Sequence, residues 1–498
     1  MGILHELVSV GRDLGSVFLF IGLATLLPLG VGAYCQEWAA LFVMGGATFL
    51  FLILGGVLLL LPGGNKPARS SLSIAAAALV WIFVSFIGCL PFLSTGMTVL
   101  DAAFESMSAW AGTGFTFIVD FGTWPKTFLI WRSFMQWIGG LGIIAFTLTV
   151  ASRSGLVTRS LYRSEGRSEA LMPSVIATAF QMWKIYVVLT SISILAVMAT
   201  GLDLWDAVNV VFCAISTGGM SIYTEGISHF GNFGLEMVLI PIMLAGALPF
   251  RLYYLVYTGR SFKRIIADRV LQLMIAIFFF VAAVLIIDRT VFGNCTMIDA
   301  VREGLFMSGS VISSTGFQNT SIAGWGAATI LFLSVFVLIE GGSGSTSGGL
   351  KLDRILVLFE AMAWWFKKTI ISPHSCTLMR HDGKTLSGQD ADMLIAKSLL
   401  LIILYILTIV GILVIILHDP YFSNDVMGTL YNVLSCLGNN GSNIGTGVIG
   451  PGMPDYAKII LYFAMWIGRL EIIPVIILIW GLFRGFEWQP PGSGSRRK

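Results

Sequence analysis

Apolar residues along the chain gather into long runs that are separated by short polar segments. A helix needs about 20 predominantly apolar residues to cross a bilayer. The pattern therefore predicts an all-α polytopic membrane protein with about ten transmembrane helices. The predicted spans are residues 14–34, 39–62, 72–94, 125–150, 178–200, 234–258, 270–292, 325–361, 394–417 and 455–484.

The eighth apolar run is too long for a plain span and is broken by a stretch of glycine and small hydroxyl residues. Shorter apolar stretches lie between several spans, and their length of about 12–15 residues is typical of re-entrant segments. The break consists of Gly341, Gly342, Ser343, Gly344, Ser345, Thr346, Ser347, Gly348 and Gly349.

One pattern occurs four times: a span, an acidic residue, a short apolar helix, a glycine-centred loop and a second span. The acidic residues are Asp101, Asp206, Asp299 and Asp425, and each is predicted as the N-cap of its short helix. The loops contain Gly112, Thr113 and Gly114; Thr217, Gly218 and Gly219; Ser314, Thr315 and Gly316; and Asn439, Asn440 and Gly441.

This repeat suggests an ion pathway. Irregular backbone at membrane depth is tolerated where it is buried in protein or lines a water-filled path. Four re-entrant helices with glycine-rich loops can arrange carbonyl oxygens around a pseudo-fourfold central pore, as in potassium filters. The alternative is that the glycines only let helices pack closely, but four evenly spaced copies favour the filter.

Charge supports the membrane assignment and gives an orientation. Charged residues make up 11% of the chain, against about 25% in soluble domains. No basic stripe of the kind that binds nucleic acid is present. With both termini inside the cell, 24 of the 30 basic residues lie on the inner side, as the positive-inside rule expects. Inner basic residues include Arg153, Arg159, Arg163, Arg167, Arg260, Lys263 and Arg264.

Cysteine and histidine give little support for a metal or cofactor site. The six cysteines contain no C-x-x-C pair, so six free thiols are expected, with a Cys35–Cys295 disulfide as the alternative. His374 and His381 share one polar loop without further candidate ligands. We therefore expect no bound cofactor.

Several motifs resemble the Trk/Ktr/HKT superfamily of potassium transporters, and most closely its TrkH type. They are DAAFESMSAWAGTGFT (101–116), WRSFMQWIGGLGII (131–144), AISTGGMS (214–221), SSTGF (313–317), GGSGSTSGGLKLDRIL (341–356) and MWIGRLEIIPVIIL (465–478). The resemblance implies potassium transport or symport through a filter of mainly backbone carbonyls. It also implies a homodimer with one pore per subunit, a cytoplasmic TrkA-like nucleotide-binding ring, and a location in the bacterial cytoplasmic membrane.

The resemblance also divides the chain. An extra N-terminal pair of helices occupies residues 1–66, and four pore repeats follow at 67–155, 156–260, 261–365 and 366–498. Two departures from the TrkH type are Gly112, where Thr is usual, and Ser442, where Pro usually follows the fourth glycine. In related plant transporters, serine at the first central position goes with sodium permeation. All four central positions here are glycine, which favours potassium.

The charges predicted inside the membrane are Glu340, Arg469 and Glu471. Intramembrane charges are candidates for function by default. Family resemblance places Arg469 below the filter, beside residues 341–349, and we interpret the two together as a gate. The alternative is a structural ion pair, such as Arg469 with Glu340. The loop does not match G-x-x-x-x-G-K-[ST], so nucleotide binding there is not expected.

Three other functions remain as alternatives. A relative that is Na⁺-coupled or weakly selective between K⁺ and Na⁺ would share all of these features. A membrane-embedded enzyme would need a nucleophile–base set or metal ligands around a cavity, and the sequence indicates none. A scaffold subunit without a pore is the third alternative.

Overall fold

The computed structural model describes residues 2–62, 70–142, 175–259, 265–293, 295–370, 378–381, 384–445 and 447–484. Arg153, Arg159, Arg163, Arg167, Arg260, Lys263, Arg264 and His374 lie outside these ranges. The described part is mainly helical, as predicted. Its only strands among the described residues form two short pairs.

The first helices form a separate hairpin before the repeats. They are α1 (Gly2–Ala24), α2 (Leu26–Tyr34) and α3 (Trp38–Leu59). Helices α1 and α2 together make one span, Glu6–Tyr34. A Cβ atom at Gly15 would lie 2.9 Å from the carbonyl oxygen of Gly55. Small residues of this kind let two membrane helices approach closely.

The first two repeats have the same order of elements. The first contains α4 (Ser70–Gly88), the short α5 (Leu90–Leu93), α6 (Val99–Ala111) and α7 (Lys126–Leu141). The second contains α8 (Val175–Met198), α9 (Leu204–Ile215), α10 (Phe233–Ala247) and α11 (Phe250–Tyr257).

The last two repeats keep this order and add short strands. The third contains α12 (Arg269–Val291), α13 (Met297–Ile312), α14 (Ala327–Phe336), β1 (Ile339–Glu340), β2 (Leu350–Lys351) and α15 (Leu352–Ile370). The fourth contains β3 (Arg380–His381), β4 (Lys384–Thr385), α16 (Gly388–Ile416), α17 (Pro420–Ser423), α18 (Val426–Gly438), α19 (Asp455–Leu470) and α20 (Ile473–Arg484). Short 3₁₀ turns lie at Phe121–Thr123, Gly226–Phe230 and Ile322–Gly324.

Two of the predicted spans are sharply bent rather than straight. Helices α10 and α11 meet at 96°, and α19 and α20 meet at 113°. Pro249 begins the second segment of the first pair. In the second pair, Glu471 and Ile472 adopt left-handed backbone angles (φ 58° and 65°). Among the described residues, six other stretches are long and apolar enough to cross a membrane.

The predicted eighth span is also interrupted, as its glycines suggested. Helix α14 ends at Phe336, and strands β1 and β2 pair in parallel on either side of residues 341–349, with Glu340 opposite Lys351. Helix α15 then continues the chain. The loop 341–349 is thus held at its base by a two-residue ladder.

The centre of the molecule is formed by the four short helices α6, α9, α13 and α18. Every residue of α6 from Ala102 to Ala111 is buried. Glycines bring the following helix close in three repeats: a Cβ atom at Gly139, Gly246 or Gly468 would strike the carbonyl of Trp110, Ile215 or Leu437. Each of these carbonyls belongs to the residue four positions before a central loop glycine, so the packing repeats with the sequence.

Candidate ion filter and gate

The four loops end their short helices with the same hydrogen bond. The amide nitrogen of the second loop residue donates to a carbonyl oxygen five residues earlier, and the distance is 2.9 Å in all four. The pairs are Thr113 with Ser108, Gly218 with Cys213, Thr315 with Ser310, and Asn440 with Ser435. This is the bond of a Schellman helix end, in which the preceding residue is left-handed.

The first loop residues have that left-handed geometry. Their φ angles are 70° at Gly112, 54° at Thr217, 60° at Ser314 and 58° at Asn439. Such angles are uncommon for residues with a side chain. They occur here because each loop must leave its helix and turn towards the centre within one residue.

The four loops form a closed ring around the centre. The central glycines have φ angles of 102° (Gly114), 69° (Gly219), 76° (Gly316) and 81° (Gly441). A Cβ atom on each would strike a carbonyl oxygen of the next loop. Those oxygens belong to Gly218, Thr315, Asn440 and Thr113 respectively. The order is loop 1, 2, 3, 4 and back to 1, and it brings residues 112–114, 217–219, 314–316 and 439–441 together.

Buried charges support the outer side of the ring. Glu105 in α6 accepts hydrogen bonds from the Phe117 amide (2.7 Å) and from Nε of Arg132 (2.7 Å). Arg132 also donates to the Ser221 carbonyl (3.0 Å). Both side chains are almost fully buried. This ion pair therefore joins the first loop to the second.

Equivalent supports differ from repeat to repeat. Behind the third loop, Arg302 pairs with buried Glu236 (2.5 Å), which also accepts from Asn319 (2.9 Å). Behind the fourth, the Asn432 amide oxygen accepts from the Ile444 nitrogen at 2.8 Å. Glu105 and Asn432 both lie nine residues before a central glycine. A carboxylate in repeat 1 and an amide in repeat 4 thus accept an equivalent hydrogen bond from the backbone that follows the loop.

The N-cap prediction is wrong for three of the four acidic residues. Asp101, Asp206 and Asp299 lie in the first turn, and Thr98, Asp203 and Thr296 are the caps. Each cap accepts from the amide of the acidic residue three positions later, which is the spacing of a capping box. Asp425 is the N-cap of α18 and accepts from the Gly428 amide at 2.9 Å. The acidic residue suits the helix dipole from either position.

The outer side of the second loop carries a stacked pair of rings. Tyr223 lies flat against His229 (ring centroids 3.8 Å apart) and donates its hydroxyl to Asp206 at 2.9 Å. Burial and that bond to Asp206 raise the pKa of Tyr223 to about 12. The phenol thus remains a donor throughout the physiological pH range.

Residues 341–349 lie directly beneath the ring and fit into the bend of the second repeat. The Gly342 and Thr346 amides donate to the Ala247 and Gly246 carbonyls (3.0 and 3.1 Å), and the Phe250 amide donates to the Gly344 carbonyl (3.1 Å). The bend between α10 and α11 therefore provides a seat for the loop.

The loop also contacts the first residues of the filter loops. The Thr346 and Thr217 hydroxyls are 3.3 Å apart, and the Gly348 amide lies 3.4 Å from the Ser314 hydroxyl. A Cβ atom at Gly348 would lie 2.6 Å from the Asn439 side chain. The segment thus touches loops 2, 3 and 4 on one side of the ring.

Arg469 joins the gate segment to the first repeat. It lies in the last turn of α19, just before the bend. Its guanidinium donates to the carbonyls of Thr346 (2.6 Å), Gly139 (2.5 Å) and Gly140 (2.9 Å). The three carbonyls belong to two segments, residues 341–349 and the end of α7. The proximity of Arg469 to residues 341–349 agrees with the position expected from the sequence.

The two intramembrane acids have separate surroundings. Glu471 pairs with Arg354 at 3.5 Å. Glu340 is fully buried, lies opposite Lys351 in the strand pair, and has Ser314 and the charge of Arg469 nearby. The Lys351 ammonium donates to the Ser347 carbonyl. Charge of both signs thus surrounds the base of the gate loop.

The remaining candidates from sequence have no role in this site. Cys35 and Cys295 are both free, so the alternative of a disulfide between them is excluded. His381 contacts Glu360 at 2.7 Å on the side of α15 away from the ring. Sequence reasoning missed Glu105, Arg132, Glu236 and Gln136, although charges in otherwise apolar helices were a visible signal for the first three.

Comparison with known proteins agrees with this architecture. Residues 42–483 match the sequence model of a family described as TrkH, cation transport protein. An uncharacterized cation transporter of Methanocaldococcus jannaschii is 35% identical, over 97% of this chain and 96% of that protein. The Trk system potassium uptake protein TrkH of Halomonas elongata is 28% identical, over 94% of this chain and 97% of that protein.

A solved structure has the same fold. The crystal structure of the potassium transporter TrkH from Vibrio parahaemolyticus superposes with a TM-score of 0.83. It is 26% identical in sequence, and the match covers 96% of this chain and 99% of that one. The helix order and the repeated loops described above are thus those of an established architecture.

Proposed function

Because this chain belongs to the TrkH family of cation transport proteins, we propose that it is the membrane subunit of a potassium uptake system. The proposal is supported above all by the closed ring of four loops, with residues 341–349 packed against one side of it. Carbonyl oxygens that replace the hydration shell of an ion are the known solution for K⁺ selectivity. Residues 112–114, 217–219, 314–316 and 439–441 would supply them.

The short helices would favour a cation at the centre of the ring. Each directs its C-terminal end, which carries partial negative charge, towards the loops. The membrane potential would drive entry with about 2.3 kcal/mol per charge for each 100 mV. The protein needs no further energy source for downhill uptake under this proposal.

Residues 341–349 and Arg469 would form the gate. The segment closes the inner side of the ring, and the guanidinium adds a positive charge that resists the passage of cations. The segment is seated mainly by backbone hydrogen bonds, which water in an open pathway could replace. The gate would open when the segment moves out of the bend between α10 and α11.

The family also suggests partners and a location. We propose a homodimer in the bacterial cytoplasmic membrane, with both termini in the cytoplasm and a TrkA-like nucleotide-binding ring on the inner face. Support comes from relatives that are named as parts of a Trk system.

Purified protein in liposomes tests the proposal. With a negative-inside potential, Rb⁺ or K⁺ should enter while Na⁺ is excluded, and a candidate cytoplasmic partner with ATP or ADP should change the rate. Equal Na⁺ flux would favour the weakly selective relative. An absence of flux with folded protein would favour a scaffold.

A further inference from the structure

The second filter loop differs from the other three at its middle residue. That position carries a polar side chain in loops 1, 3 and 4, but it is Gly218 in loop 2. Thr113 accepts a hydrogen bond from Asn439 (2.8 Å), the Thr315 hydroxyl contacts Ser313 (2.7 Å), and Asn440 accepts from Ser442 (2.6 Å). Three loops are thus held through a side chain of their own.

Gln136 occupies the space that such a side chain would fill in loop 2. It projects from α7, and its amide is fully buried. A Cβ atom on Gly218 would lie 2.5, 2.6 and 2.7 Å from Cδ, Oε1 and Nε2 of Gln136, and no other group is as close. The φ angle of Gly218 lies outside the left-handed region. Gln136, rather than the backbone, is therefore the reason for glycine here.

The Gln136 amide makes two hydrogen bonds to the loop. Nε2 donates to the Gly218 carbonyl at 2.6 Å, and Oε1 accepts from the Met220 amide at 3.1 Å. The two bonds lie on either side of the central glycine, Gly219. One side chain therefore fixes both the carbonyl before that glycine and the amide after it.

The bond to Gln136 coincides with a break in the fourfold symmetry of the ring. The Gly218 oxygen lies 2.4 Å from the Cβ position of Gly114 in the preceding loop, whereas the three equivalent oxygens lie 1.7–1.8 Å from the Cβ position that each faces. It is the one of the four carbonyls that receives a donor from a side chain in the described hydrogen bonds. The carbonyl is thus drawn towards α7.

We propose that Gln136 is a positioning residue that sets the ion selectivity of the filter by fixing the second loop. The inference rests on the proposed function, because it assumes that ions pass through this ring. A carbonyl that is free to move adapts its distance to a smaller ion, whereas a fixed one does not. Loss of the clamp should therefore admit Na⁺ more than it changes K⁺ passage.

The test measures Rb⁺ and Na⁺ uptake into liposomes, each normalised to folded protein. Gln136→Ala and Gln136→Leu should lower the Rb⁺/Na⁺ ratio about tenfold. That factor is the effect of losing roughly one buried hydrogen bond, here the one to the Gly218 carbonyl. Ser133→Ala is the matched control, since Ser133 is buried on the same helix and its hydroxyl bonds to the Leu129 carbonyl and contacts the Cys213 side chain. The Rb⁺/Na⁺ uptake ratio of Ser133→Ala should equal that of the unaltered protein.

A second pair of variants keeps the inference testable if the single changes impair assembly. Gly218→Thr alone should disrupt the filter, because its Cβ meets Gln136. Combined with Gln136→Ala, the threonine gains the vacated space and makes loop 2 resemble loops 1 and 3, so the ratio should recover. The inference is overturned if the double variant has the same Rb⁺/Na⁺ ratio as Gly218→Thr alone.

The outcomes separate this inference from the proposed function. If the unaltered protein carries no Rb⁺, the potassium uptake proposal fails. If the unaltered protein is selective and both Gln136 variants keep its ratio, only the role of Gln136 fails.

Discussion

Glycine is required at the four central loop positions for two reasons that act together. The backbone is left-handed there, and the carbonyl of the next loop occupies the place of a side chain. Left-handed geometry alone would admit asparagine or serine, as it does at Asn439 and Ser314. The contact between loops excludes every residue except glycine, so these positions hold the ring closed.

A methyl group at one central glycine should therefore open the ring. For Gly316→Ala we expect a loss of selectivity between Rb⁺ and Na⁺ of tenfold or more in liposomes, since the added carbon strikes the Asn440 carbonyl. Gly324→Ala is the control, because nothing lies within 4 Å of a Cβ there. Equal selectivity in the two variants would contradict a filter built on this contact.

The buried pair of Glu105 and Arg132 gives a prediction for stability. Removing one partner leaves the other charge uncompensated, which costs about 3–5 kcal/mol. Glu105→Leu should lower the thermal unfolding midpoint in detergent far more than Arg269→Gln, which breaks an ion pair whose arginine is half exposed. The double variant Glu105→Leu and Arg132→Met should be more stable than Glu105→Leu alone. A midpoint unchanged by Glu105→Leu would show that the pair contributes little.

Several of these residues could be predicted from the sequence, and others could not. The central glycines repeat at regular intervals, and a charge such as Arg469 is conspicuous in an apolar run. Gln136 gave no signal, because a single amide in a helix does not show which backbone it faces. The sequence did not indicate the caps at Thr98 and Thr296, because an aspartate three residues later is an equally suitable N-cap residue.

Broken helices are the elements that surround residues 341–349. The bend between α10 and α11 seats residues 341–349, and the bend after α19 brings Arg469 to the same segment. Hydropathy predicted the length of these spans but not their bends, because it reflects composition alone. The break at Glu471 and Ile472 is followed by Pro474 in the first turn of α20, and proline is tolerated at the start of a helix but not in its interior, so this residue was a local signal for the bend.

If residues 341–349 and Arg469 form a gate, removing the contacts between them should speed the movement of ions. Arg469→Ala, or deletion of residues 343–347, should raise the initial rate of Rb⁺ uptake several-fold, since a positive charge and a physical obstruction are lost. Lys368→Ala provides a control at the far end of α15, where the side chain is exposed. Unchanged uptake in both variants, at normal protein levels, would remove the gate from the proposal.

At the scale of the whole molecule, one pattern of elements serves four unequal repeats. The sequence predicted the repeat and the order of spans, because span length and glycine spacing are local properties. It did not predict how the repeats differ behind the ring. Gln136 and Arg302 contact Gly218 and Glu236 in another repeat. Glu105 and Asn432 instead contact Arg132 and Ile444 in their own repeats. The first two contacts depend on packing between repeats, which local patterns do not report.

The proposed orientation can be tested by labelling single cysteines. In a background with the native cysteines replaced by serine, Ser94→Cys should react with an impermeant maleimide from outside intact cells. Thr258→Cys should react only after the membrane is opened. Both positions are exposed: Ser94 lies between α5 and α6, and Thr258 directly follows α11. Reaction of Thr258→Cys in intact cells would reverse the topology.

The closed ring has a consequence for biosynthesis. Loops 1, 2 and 3 can contact one another as soon as they are made, but the contact of Gly441 with the Thr113 carbonyl needs the fourth repeat. Until then, the open side of the ring exposes backbone polar groups at membrane depth, where lipid offers them no hydrogen bond. The ring therefore cannot close before residue 441 is made, and a chain truncated between residues 114 and 441 lacks the contact that completes it.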